Sequence, residues 1–162
     1  MLVWILTILL CFGFGAGAIL GAPYLPVLSR DIQPLLDAAA LRPGQLILDL
    51  GCGDGRLLKA AAKRGVRGYG YEINPFIWLI AVINCWSMRD KVTIKLGNYW
   101  RHDWPQADAI YIFLITGYMK KFDQVLTKRA LKVRVVSYGF PIPHKTASQP
   151  QGNIFVYDYQ PK

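Results

Sequence analysis

Three hydrophobic patterns succeed one another along the chain. Residues 2–22 are apolar throughout, with Thr7 the only polar side chain and no charge before Arg30. As a helix rising about 1.5 Å per residue, this stretch would span roughly 30 Å, the thickness of a bilayer's hydrocarbon core, so the pattern predicts a transmembrane helix over 2–22. A cleaved signal peptide would use the small residues Ala16-Gly17-Ala18, but the basic start of such a peptide is missing. A buried core helix is ordinarily shorter and amphipathic. The second pattern follows Pro23-Tyr24-Leu25-Pro26, where apolar residues at 32, 35, 36 and 39 predict a helix over 31–41 that stops at Pro43-Gly44. The third is an alternation. Short apolar, partly β-branched runs at 45–50, 68–72, 92–96, 109–115, 133–138 and 153–159 predict strands, and the segments 56–64, 75–85 and 118–131 predict helices, the second opening on Pro75. Strands and helices alternating at this spacing predict an α/β fold, Rossmann-like, with a mostly parallel, doubly wound sheet. In such a sheet the ligand sits beyond the carboxyl ends of the strands at the topological switch point.

The chain of 162 residues has room for one domain beyond the span. It divides into the span at 2–22, a linker and N-terminal helix at 23–44, and the sheet domain at 45–162. Its net charge of +9 lies wholly at or after Arg30. With nothing basic before the span and Arg30 and Arg42 soon after it, the positive-inside rule places the following domain on the cytosolic, or organelle-interior, side of a single-pass membrane protein. Scattered basic residues suit an anionic lipid surface before a nucleic acid, since each adds about 1 kcal/mol of attraction to such a surface. Cys52 and Cys85 share no CxxC spacing, which suggests neither a zinc site nor a disulfide framework. His102 and His144 are isolated, so no metal site is expected.

The chemistry concentrates where the first strand meets its helix, in the sequence Asp49-Leu50-Gly51-Cys52-Gly53-Asp54-Gly55-Arg56. A dinucleotide fingerprint spaces its glycines G-x-G-x-x-G and offers a helix N-terminus to a pyrophosphate. Here the spacing is G-x-G-x-G and carboxylates stand at 49 and 54, which would repel a pyrophosphate and attract an ammonium or sulfonium. S-adenosylmethionine is such a ligand, its carboxylate suited to backbone N–H groups at the helix start. Glu72, the chain's one glutamate, ends the second strand about 20 residues on, where a ribose is gripped. Asn74 follows it. After the third strand, Asn98 is placed to hydrogen-bond an adenine and Tyr99, with Trp100, to cover it.

These motifs resemble the class I, seven-stranded S-adenosylmethionine-dependent methyltransferases. More narrowly, the chain is similar to the small membrane-anchored protein-lysine methyltransferases that include the mitochondrial enzymes modifying the ATP synthase c-subunit and the adenine nucleotide translocase. The matching segments are Pro23-Tyr24-Leu25-Pro26, Asp49 to Arg56, Glu72-Ile73-Asn74-Pro75 and Phe140-Pro141-Ile142-Pro143. Asn98 departs from the acidic residue often found after the third strand, and the C-terminal part is short for a full seven-stranded sheet. The resemblance implies a membrane-anchored enzyme that methylates a lysine of a membrane-embedded protein, with Tyr24, Phe113, Phe140 and Pro141 lining an apolar channel for the acceptor amine. Phe113-Leu114-Ile115-Thr116 lacks the Asn/Asp-Pro-Pro-aromatic run of base-modifying enzymes, which argues against nucleic acid as the substrate. Methylation of a lipid or quinone-like molecule, and a non-catalytic cofactor-binding module, remain open alternatives.

Overall fold

The structure, a computed structural model, describes residues 25–148 and 151–160 together with Trp4. The expected span at 2–22, apart from Trp4, and the linker residues Pro23 and Tyr24 lie outside the described residues. Among the described residues no helix is long and apolar enough to cross a membrane.

The elements follow the predicted alternation. Helix α1 (Ser29–Ala39) leads into β1 (Leu46–Leu50), α2 (Arg56–Lys63), β2 (Arg67–Glu72), α3 (Pro75–Asn84), β3 (Val92–Leu96), β4 (Ala109–Ile112), α4 (Thr116–Arg129), β5 (Val133–Tyr138) and β6 (Ile154–Tyr159). The described residues form a sheet of six strands, not seven, in the order β3-β2-β1-β4-β5-β6. The first five are parallel, and β6 runs antiparallel to β5. The order reverses between β1 and β4, which opens a crevice at their carboxyl ends.

Each face of the sheet carries its own core. Because side chains alternate along a strand, Ile47 of β1 points to the face that α1 and α2 cover with Leu35, Leu36, Leu57, Leu58 and Ala61. Leu48 and Leu50 point to the other, where α4 supplies Met119, Phe122 and Leu126. Helix α3 packs beside α2 near the β3 edge. Only a three-residue helical turn, Tyr99–Arg101, and an irregular loop join β3 to β4, and Trp100, Trp104 and Ala107 of that segment pack onto the α4 face.

The predicted strand at 109–115 ends at Ile112, where pairing with β5 also ends, at Ser137. Phe113 to Ile115 leave the sheet to wall the crevice. One close contact holds the β1–α2 loop at this level. A Cβ at Gly70 in β2 would lie 2.8 Å from the Cys52 Cβ and 2.7 Å from Leu58 Cδ1, so only glycine lets the loop settle on β2. Gly70→Ala is therefore expected to cost about 1–3 kcal/mol through overpacking, read as a lower urea midpoint with an unchanged slope.

Candidate active site

The glycines of the β1–α2 loop are dictated by backbone geometry. Gly51, Gly53 and Gly55 have φ of 99°, 55° and 76°, in the left-handed region that side-chain-bearing residues rarely adopt. Gly55 caps α2 and admits the Cys85 sulfur beside it. The N–H groups of Gly51 and Cys52 both donate to the Tyr71 carbonyl, at 3.0 and 2.8 Å, which fastens the loop to the end of β2.

Glu72 completes that attachment. Its Oε2 accepts the Gly53 N–H at 3.0 Å and its Oε1 accepts the Asn74 N–H at 2.8 Å, so one buried carboxylate joins the loop, the tip of β2 and the approach to α3. Burial raises its pKa, against the pull of these N–H bonds. The Ile73 N–H is a third backbone donor, and the carboxylate still keeps lone-pair capacity for a ligand hydroxyl.

Asp49 is buried at the end of β1, and its Oδ1 has no partner among the described residues. Across the switch point in register with it stands Tyr111 of β4, whose buried hydroxyl is also unpartnered. Burial foremost, then the charges of Glu72 and Asp54, push the Asp49 carboxyl well above the usual aspartate range. Two orphaned polar atoms side by side are costly unless a ligand satisfies them. Both residues line a cleft of about 380 Å³.

The remaining expected residues divide. Asn98, Tyr99, Phe113 and Phe140 line the cleft with Asp49, Gly51, Gly53, Glu72 and Asn74. Phe113 packs edge-on to Tyr138 at 5.0 Å and lies over Phe140 at 6.3 Å between ring centroids. The side chains of Asn74 and Asn98 act as helix caps: Asn74 Oδ1 accepts the Phe76 and Ile77 N–H groups, and Asn98 Oδ1 accepts that of Trp100. Asp54 also lines the cleft, but its carboxylate is forked by Arg56, with Nη2 to Oδ2 at 2.8 Å, so the attraction for a cation falls to Asp49 and Glu72. The N–H groups of Gly51, Cys52, Gly53, Gly55 and Arg56 are engaged within the protein, which leaves a ligand carboxylate the first-turn N–H groups of Leu57 and Leu58. Pro141 is exposed and outside the cleft wall. Tyr24 lies outside the described residues.

The sequence reading missed Tyr111, Lys121 and the segment Leu25-Pro26-Val27, all of which line the cleft. Lys121 holds its Nζ 4.4 Å from the centroid of the Trp100 ring, a cation–π contact at the wall. Cys52 and Cys85 are buried thiols, and burial pushes the latter to about 11. Among the described residues no group of three or more His, Cys, Asp or Glu side chains could hold a metal ion. The donor set fits S-adenosylmethionine, with unpaired Asp49 and Tyr111 oxygens at the cationic end and spare Glu72 lone pairs for a ribose.

The family model described as the ANTKMT methyltransferase domain matches residues 49–149. The human lysine N-methyltransferase of the ATP synthase c-subunit is 28% identical over 144 residues, covering 84% of this chain and 61% of that protein. The mouse adenine nucleotide translocase lysine N-methyltransferase is 30% identical over 128 residues, 76% of this chain and 56% of that one. A protein-lysine N-methyltransferase of Saccharolobus islandicus is 29% identical over 141 residues, 82% of this chain and 88% of its own length. The chain thus spans about three fifths of the human relative. Among solved structures, an RNA methyltransferase from Salinibacter ruber in complex with S-adenosyl-L-homocysteine superposes with a TM-score of 0.75 at 25% identity, covering 85% of this chain and 94% of that one. A SAM-dependent methyltransferase from Geobacter sulfurreducens, at 20% identity and a TM-score of 0.62 over 85% of this chain and 58% of its own, shares the fold.

The raised pKa of Asp49 has a measurable consequence. A carboxyl whose folded-state pKa exceeds its unfolded-state value weakens the fold as pH climbs between the two, and above the folded value the penalty is complete. Asp49→Asn removes the charge and nearly keeps the shape. It is expected to raise the thermal midpoint of the ligand-free protein by about 2–4 °C at neutral pH, a gain that shrinks toward acidic pH, as calorimetry across a pH series would show.

Proposed function

This chain belongs to the ANTKMT methyltransferase domain family, and on that premise we propose that it is an S-adenosylmethionine-dependent methyltransferase acting on a lysine of a membrane-associated protein. The observation that carries the proposal is the polarity of the cleft. Buried carboxylates stand on β1 and at the end of β2 with an orphaned phenol on β4, and an apolar, aromatic wall of Phe113, Ile115, Tyr118 and Phe140 follows the ends of β4 and β5. The lysine N-methyltransferases among the relatives support the acceptor class.

In this reading Asp49 holds the cationic end of the cofactor, Tyr111 offers it a second oxygen, and Glu72 takes the ribose hydroxyls while keeping the glycine loop in place. Asn98 and Tyr99 flank the adenine. When bound, S-adenosylmethionine supplies a methyl group on a sulfonium, which an uncharged amine displaces in line. The protein's part is to align that amine, exclude water and favour its uncharged form, the ammonium's proton leaving to solvent beforehand. The apolar wall disfavours an ammonium by desolvation, and the Lys121 charge over Trp100 disfavours a second cation beside it. Both effects lower the pKa of the acceptor.

The membrane part of the proposal rests on the uncharged stretch at 2–22 and on where the chain re-enters the described fold. Leu25 already lines the cleft, so a span ending at Ala22 leaves only three steps of chain, roughly 10 Å, between bilayer and cleft wall. A target held in the same bilayer would meet the site at a raised effective concentration.

Two measurements test this. Native membranes carrying the full-length protein, given S-adenosylmethionine labelled in its methyl group, are expected to place acid-stable label in a protein band, absent with Asp49→Ala. Label in the lipid phase or in nucleic acid instead would replace the acceptor class. Once a target is in hand, Lys121→Met is expected to shift the acidic limb of the pH–rate profile to higher pH, because removing a positive neighbour raises the acceptor's pKa. An unshifted limb would leave deprotonation to the apolar wall alone.

A further inference from the structure

Helix α3 has an apolar face that remains exposed among the described residues. Its ten residues, from Pro75 to Asn84, carry no charge, yet only Ile77 and Ala81 are fully buried. Phe76, Leu79, Ile80, Ile83 and, in the turn that continues the helix, Trp86 are each between 45% and 66% exposed. Their spacing of i, i+3, i+4, i+7 and i+10 places them on one side of the helix axis, in a stripe roughly 15 Å long. Isolated exposed hydrophobic residues are ordinary, but five large ones in a row mark an interaction surface.

The surroundings of the stripe select its partner. From Ile73 to Lys91 the chain has one carboxylate, Asp90, against two exposed cations, Arg89 and Lys91. Arg89 lies 5.3 Å over the Trp86 ring, which pairs a charge with an amphipathic aromatic at one end of the stripe. Leu96 of the edge strand β3 adds further exposed apolar surface. Aromatic ends, aliphatic middle and a cationic rim are the composition of a helix that lies in the plane of an anionic bilayer, its apolar side chains among the acyl chains and its cations at the headgroups. A protein groove would match the stripe alone and make no use of the rim. We propose that the exposed face of α3, with Arg89 and Lys91, docks on the surface of an anionic lipid bilayer. The docked domain would be held in a fixed orientation, independently of any span at the N-terminus. The proposal goes beyond the methyl-transfer reading and requires neither cofactor nor turnover.

The test places a nitroxide on Ile83→Cys in the full-length chain on a Cys11→Ala background, Cys52 and Cys85 being buried. Lys120→Cys, exposed on α4 across the sheet, is the control. In vesicles of equimolar phosphatidylcholine and phosphatidylglycerol, the label at 83 is expected to become severalfold less accessible to a water-soluble nickel chelate and more accessible to oxygen than the label at 120. Nickel access equal to that at 120 would overturn the proposal. So would exclusion of both reagents, which would mean that a second protein surface covers the stripe. Equal shielding in phosphatidylcholine alone would overturn the assignment to an anionic surface. None of these outcomes depends on the cofactor site, so the failure of either reading leaves the other standing.

Discussion

One buried carboxylate fastens together the parts of the cleft that come from different elements. Glu72 stands at the end of β2, accepts an N–H from the glycine loop with one oxygen and an N–H at the approach to α3 with the other. A carboxylate out of water is costly unless it is hydrogen-bonded, so its burial commits both backbone segments to one position. The loop cannot lift without stranding a charge. Tyr71, one residue earlier, receives two more loop N–H groups on its carbonyl, and Gly70, one residue before that, lets the loop lie flat. Three consecutive residues of β2 therefore shape a binding loop that lies some twenty residues earlier in the chain.

Against that fixed frame, the Asp49 and Tyr111 oxygens are left without partners, although the register of β1 and β4 brings them opposite each other. The protein spends order at Glu72 and leaves polar groups unsatisfied at Asp49. This division is expected of a site built to receive a positive charge: the support is held by backbone N–H groups, and the oxygens that meet the cation wait for it.

Much of this frame was legible in the sequence, because it follows from period and punctuation. The strands at 92–96 and 133–138 have the predicted bounds, and the glycine loop announced a turn of unusual backbone. Sequence blurred the cases where one residue type serves two purposes. Asn74 and Asn98 look like ligand contacts, but asparagine before a helical turn is equally a cap, and both side chains cap. Asp54 looked free to attract a cation, yet a cation two residues away in the same chain claims it. Tyr111 sits within an apolar strand, where a tyrosine reads as core; only strand order sets it opposite Asp49. The apolar run at 109–115 promised a longer strand, because cleft wall and sheet core have the same hydropathy. The six strands match the six apolar runs, and the C-terminal part was already short for the seven that the family resemblance implied.

The connections around the cleft are short. Two residues separate β2 from α3, three separate β4 from α4, and the β3–β4 crossover is one helical turn and a loop packed onto the core. The exception is the β5–β6 connection, fifteen residues from Gly139 to Asn153, which contributes Phe140 to the cleft wall. On the proposed reading, discrimination among targets would pass in part from complementarity to geography. The enzyme's relevant concentration would be counted per unit area of a surface, and its selectivity would be as good as the company that surface keeps.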